Sequence, residues 1–209
     1  MNRVLCVLGV FLLSPTLLAQ SASVPPGPYK PVLDRLQSIT VIPLPAWQMH
    51  AADLRHGEEP ALSTVGWQPV RLKEDWRGSR WLRQTYEVPT QLSEYSLQGA
   101  SITLDLHVGS DDAIQVSVFA NGSMVARTDE DGQVPITLIE NAQVGQKLVL
   151  AVRVLDSGRG GCCGGNSTRI EHAELRIEPP ADRPDPALMW AQILSAEMAT
   201  EPPQAPSHP

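Results

Sequence analysis

A chain of 209 residues with 19 prolines, 15 glycines and only five Trp, three Tyr and two Phe suits one β-rich domain with extended flanks, and argues against a long helical bundle. Its formal net charge of −7 disfavours nucleic-acid binding, which rests on clustered Lys and Arg. Beyond the N-terminus no apolar run is long enough to span a bilayer.

The chain opens as a targeting segment. Arg3 supplies a positive start, Val4 to Leu13 are almost purely apolar, Ser14 and Pro15 break the run, and the small residue Ala19 offers a cleavage point. Residues 1–19 therefore read as a signal peptide. The mature protein is expected in the periplasm or outside the cell, with no membrane contact after cleavage. Cleavage removes Cys6 and leaves Cys162 and Cys163 side by side between two Gly-Gly pairs. Neighbouring cysteines in such a loop can close a strained disulfide, pair between chains or stay reduced. They make no disulfide scaffold, and they lack the spaced second pair that a zinc site needs.

Residues 20–31 are proline-rich and read as an extended linker. An N-terminal extension at 32–66 follows, with a short helix on Leu33, Leu36 and Ile39 that Pro43 and Pro45 end. From Trp67 the apolar period becomes two, which marks strands. Trp81 to Val88 is the first. Ile102 to Val108 alternates strictly between apolar and polar residues, and Ile114, Val116 and Val118 repeat the pattern up to Asn121-Gly122. That dipeptide predicts a two-residue hairpin turn, because both of its positions must reach positive φ. Pro135 to Leu138 begins with a residue that cannot donate to a ladder and is expected at a sheet edge. Leu148 to Leu155 is apolar except at Arg153, as in a central strand covered on both faces. Ala173, Leu175 and Ile177 alternate with charged residues in a half-buried strand.

About six or seven strands without intervening crossover helices predict an all-β fold, an antiparallel β-sandwich over residues 67–179. After Pro179-Pro180, Asp185 and Pro186 open a helix over 184–198 as N-cap and first residue. Met189, Ile193 and Ala196, with Trp190 and Leu194, line its apolar face. The tail at 199–209 is proline-rich and is expected to be disordered.

Few residues suggest chemistry. His107 and Asp105 share the polar face of a strand, but none of the histidines shows metal-ligand spacing on one element. No Gly-x-Ser-x-Gly elbow occurs. Asp111 with Asp112, and Asp129 with Asp131, are loop carboxylates. Asp129 and Asp131 with loop carbonyls suit Ca²⁺, a hard cation that takes oxygen ligands; turn chemistry alone also explains them. No other cofactor is indicated. Trp76, between Asp75 and Arg77, is the candidate for stacking on a sugar ring, with Asp111 and Asp112 to bind hydroxyls. A packing role for this indole is the alternative.

Several signals also carry a resemblance. Trp67, the run Trp81-Leu82-Arg83-Gln84-Thr85-Tyr86-Glu87-Val88-Pro89, Val118-Phe119-Ala120-Asn121-Gly122 and Gly145-Gln146-Lys147-Leu148-Val149-Leu150-Ala151-Val152-Arg153-Val154 resemble the N-terminal jelly-roll (galactose-binding-like) domain of large glycoside hydrolases. With Leu33-Asp34-Arg35-Leu36, Ile42-Pro43-Leu44, Trp47, Ala173-Glu174-Leu175-Arg176-Ile177 and Arg183-Pro184, the match extends to bacterial proteins of glycoside hydrolase family 38, the α-mannosidases. The resemblance implies that Trp67 and Trp81 are core residues. It supplies no catalytic residue, because the part of that family carrying the zinc site and nucleophile has no counterpart here. The expectation is a non-catalytic, carbohydrate-binding-like accessory module whose partner is a carbohydrate or a glycoside hydrolase catalytic chain. A structural module docking on a separate subunit is the alternative, and a stand-alone glycosidase a weaker one.

Overall fold

The computed structural model describes residues 27–111, 113–129, 132–156 and 167–200. The expected signal peptide at 1–19, Asp112, Asp131, the Cys162-Cys163 pair and the tail beyond residue 200 lie outside the described residues.

Helix α1 (Lys30–Thr40) leads into β1 (Val41–Pro43) and β2 (Ala46–His50), then β3 (Gln68–Arg71) and β4 (Arg80–Glu87). A small hairpin, β5 (Gln91–Leu92) and β6 (Tyr95–Ser96), precedes β7 (Ser101–Ser110) and β8 (Ile114–Ala120). The chain continues through β9 (Ser123–Thr128), β10 (Gly132–Ile139), β11 (Lys147–Asp156), β12 (Thr168–Glu178) and α2 (Pro186–Thr200). Two antiparallel sheets result, one ordered β1-β12-β7-β10 and the other β3-β2-β4-β11-β8-β9. The expected antiparallel β-sandwich is the fold.

Alternation explains the layers. Ile102, Leu104, Leu106 and Val108 of β7 face Leu148, Leu150, Val152 and Val154 of β11 across one core, with Trp47, Trp76, Leu82 and Ile170 in the same cluster. At about 1.5–3 kcal/mol per fully buried large apolar side chain, this core is the main favourable term. As expected, β11 is central, between β4 and β8. Its inner face meets the main core, and Ala151 on its outer face packs with Trp67 and Trp81 in a second cluster, with Leu54, Leu62 and Phe119 at its margin. Trp67 and Trp81 are core residues, but of this outer layer.

Polar chemistry fastens residues 51–67 over that layer. Arg83 is 3% exposed and donates to the carbonyl oxygens of Gly57, Glu59 and Pro60 at 3.2, 2.7 and 2.7 Å. Arg153 donates from Nε to Asp53 Oδ1 at 2.8 Å and from Nη2 to Asp53 Oδ2, while its guanidinium lies 5.9 Å from the centre of the Trp81 ring. Trp81 Nε1 donates to Asp53 Oδ1 as well, at 3.0 Å.

The sandwich starts earlier than residue 67. β1 pairs with β12, and β2 lies between β3 and β4. Pro43 sits in the outermost strand of its sheet, where a missing N–H is tolerated, so the prolines that end α1 do not exclude strands. Pro135 does lie in an edge strand, although β10 is longer than its apolar residues suggest. At the other end, the Asp185 carboxylate caps α2 by accepting from the N–H of Ala187 at 2.8 Å and of Leu188 at 3.3 Å. α2 packs beside α1. Its apolar residues surround it rather than forming one stripe: Trp190, Ile193 and Leu194 are half-buried, whereas Leu188, Met189 and Met198 are exposed. No helix among the described residues is long and apolar enough to cross a membrane.

Candidate functional site

The loops that carry the candidate carboxylates gather at one end of the sandwich. β7, β9 and β11 finish there, and β8, β10 and β12 begin there, so Asp111, Asp129 and Ser167 are carried to the same end by topology. Ligand-binding groups commonly ride on such loops, held by a rigid scaffold.

Asp111 is exposed and fixed to the start of β12. Its Oδ2 accepts from Ser167 Oγ at 2.9 Å, and its N–H donates to the Ser167 carbonyl at 3.1 Å. Asp129 lines an open recess of about 380 Å³ together with Ala113, Ile114, Gln115, Leu155 and Asp156. Gln115 Nε2 donates to Asp129 Oδ1 at 2.7 Å, and Arg127 Nε stands 3.7 Å from the same oxygen. The Asp129 side chain is 72% exposed. The recess therefore combines short apolar walls with two carboxylate residues, Asp129 and Asp156, and the Gln115 amide, a donor and acceptor set that suits hydroxyl groups. An open carboxylate such as Asp129 is poorly suited to serve as a glycosidase acid, which needs a water-poor surrounding to keep its proton.

Trp76 lies elsewhere. It is 6% exposed and packs in the core between the sheets, held by a backbone bridge to Thr168 with N···O distances of 2.9 and 3.0 Å. The sugar-stacking expectation is corrected to the packing role, because no open ring face remains. The polar neighbours Asp75 and Arg77 resemble a loop in sequence, but the bridge turns the indole between them inward. Of the expected calcium pair, Asp131 lies outside the described residues, and Asp129 Oδ1 accepts the hydrogen bond from Gln115. Gln115 and Asp156 were not singled out from sequence. Both end or flank regular strands, and only the strand pairing brings them to the mouth of the recess.

The sequence also places His107 with Asp105 on one strand face but misses what lies across from them. In the β7–β12 ladder, His172 pairs with His107 and Glu174 with Asp105. No single strand's spacing could show this group.

No protein-family model and no curated protein sequence matches the chain. Solved structures do. A glycoside hydrolase family 2 member from Bacteroides cellulosilyticus superposes with a TM-score of 0.53 at 21% identity, covering 68% of this chain and 21% of that one. The β-glucuronidase of Bacteroides uniformis gives 0.54 at 15% identity, covering 66% and 18%. A β-glycosidase from Bacteroides vulgatus gives 0.52 at 18% identity, covering 67% and 20%. These likenesses show the fold, an antiparallel β-sandwich that glycoside hydrolases also contain. The matching part spans about a fifth of each enzyme's length.

Proposed function

We propose that the chain is an exported, non-catalytic accessory module of the glycoside hydrolase type that binds carbohydrate at the loop end of its sandwich. The observation that carries this reading is the recess formed by Gln115, Asp129 and Asp156 on a fold shared with glycoside hydrolases. The finer kinship, to α-mannosidase-like proteins of family 38, rests on the sequence signature alone; the superposing enzymes reported above belong to family 2 or are named by their β-glycosidase activity. Export rests on the N-terminal pattern of Arg3 and the apolar run that follows.

Isothermal titration against mannosides, glucuronides and longer oligosaccharides tests the reading, with chromogenic glycosides assayed in parallel. Saturable binding that weakens in Gln115→Ala and Asp129→Ala, without product release, supports it. Silence across the panel removes the carbohydrate function, and turnover that survives repurification removes the non-catalytic one.

A second reading has its own support. Leu188, Met189 and Met198 of α2 are 56%, 44% and 66% exposed, an arrangement that fits docking on a hydrolase chain. Light scattering after size exclusion, with and without a candidate catalytic subunit, tests it. A complex lost in Leu188→Asp supports docking, and no complex at micromolar concentration contradicts it.

A further inference from the structure

On the outer face of the four-stranded sheet, away from the core, three metal-ligating side chains meet. We propose that His172, Glu174 and Asp105 form a binding site for a divalent transition-metal ion of the zinc class.

The site is built by strand geometry. His172 and Glu174 are two residues apart on β12 and so share a face. Asp105 lies directly opposite Glu174 on β7. One nitrogen or oxygen donor from each residue falls within 4.8 Å of the others. His172 Nε2 and Glu174 Oε2 are 3.3 Å apart. Two ligands each about 2.0–2.1 Å from a tetrahedral zinc ion stand about 3.3–3.4 Å from each other, so this pair already has the separation of two coordination positions. Small rotamer adjustments of Asp105 complete a three-ligand set, with a fourth position for water.

Arg176 frames the site without filling it. Its Nη2 contacts Asp105 Oδ2, and its Nε donates to Glu174 Oε1 at 3.0 Å. The Glu174 oxygen that faces His172 is the other one. A hydrogen-bonded partner behind each carboxylate is the usual outer support of a metal ligand. Asp105 and Glu174 side chains are only 4% and 12% exposed, so their charges meet less water competition than surface acids do. His172, at 29%, leaves the site open on one side for entry. One imidazole and two carboxylates suit zinc and its neighbours; they offer too few oxygens for calcium and no sulfur for Cu(I).

Zinc titration of the purified protein tests the site, in a Cys162→Ser/Cys163→Ser background that removes thiolate binding. The expected result is saturable 1:1 binding, with an elevated melting temperature, weakened at least about tenfold in His172→Gln and in Glu174→Gln. Co²⁺ should give a visible d–d band of tetrahedral type that His172→Gln loses. His172→Gln keeps a neutral polar side chain, and unchanged metal-free melting certifies its fold; if Glu174→Gln unfolds, His172→Gln decides. Absence of saturable binding, or equal binding by His172→Gln and its parent, overturns the proposal and leaves an ion-pair network around Arg176.

Discussion

Arg83 holds three backbone carbonyls from a position 3% exposed. Removing it leaves those carbonyls poorly paired beneath residues 57–60, where an unsatisfied buried polar group costs about 1–3 kcal/mol. Arg83→Met should therefore lose about 2–4 kcal/mol in urea unfolding, with Arg83→Lys recovering part; a loss under about 0.5 kcal/mol contradicts the role given to it. Tyr86 presents the reverse case. Its Oη is buried without a hydrogen-bond partner, and burial pushes its pKa up to about 12. Tyr86→Phe should be neutral or stabilising by up to about 1 kcal/mol. Because the folded phenol resists ionisation that the unfolded one undergoes near pH 10, stability should fall as pH rises from about 10 towards 12, and less steeply in the Phe variant. Asp53 is shifted the other way. Chiefly the Arg153 hydrogen bond holds its carboxyl below the usual range, against the opposing effect of burial. Its contribution is full above the unfolded pKa of 3.8 and is lost as pH falls through the lower folded value. The side chain is 40% exposed, so the gain is screened by solvent. Asp53→Asn should narrow its stability gap to the parent protein in acid melts below about pH 4.

The β8–β9 hairpin is where local sequence and fold agree most closely. Asn121 and Gly122 both have positive φ, 48° and 85°, as the dipeptide predicts, and Asn121 Oδ1 accepts from the Val149 N–H at 2.9 Å. A Cβ on Gly122 would stand 3.0 Å from Pro60 Cδ. Gly122→Ala should cost about 1–2 kcal/mol in thermal or urea melts, from φ strain and this contact together. Strands whose apolar residues alternate were legible because one face of each is buried. β1 and β2 were less so, since β1 is three residues long and both lie among prolines. The outer core was also hidden. Gly57 approaches Trp81 so closely that a Cβ would overlap the ring, and the segment carrying it has no apolar period to announce that it covers a sheet. For α2 the cap at Asp185 was readable from Asp-Pro, while the exposure of Leu188 and Met198 depends on how little of the helix α1 covers.

At the scale of the molecule, the loop end and the sheet face depend on different features of one sandwich. Asp111 and Asp129 were visible as polar residues in turns, but a turn motif does not say which turns share an end. That follows from the antiparallel order of β7, β8, β9, β10, β11 and β12, which also adds Gln115 and Asp156 to the recess. Trp76 shows the opposite error: its flanks read as loop, and a two-bond bridge makes it core. The sandwich thus holds polar groups at its rim, where carbohydrate binding is proposed, while its core tryptophans remain inside. Two-dimensional amide NMR during oligosaccharide titration measures this most directly. Saturable shifts clustered on Asp111, Gln115, Asp129 and Asp156, with Trp76 and the β11 core unmoved and no sugar cleaved, are the predicted result. Shifts confined to α2, or new reducing ends in the sample, contradict it.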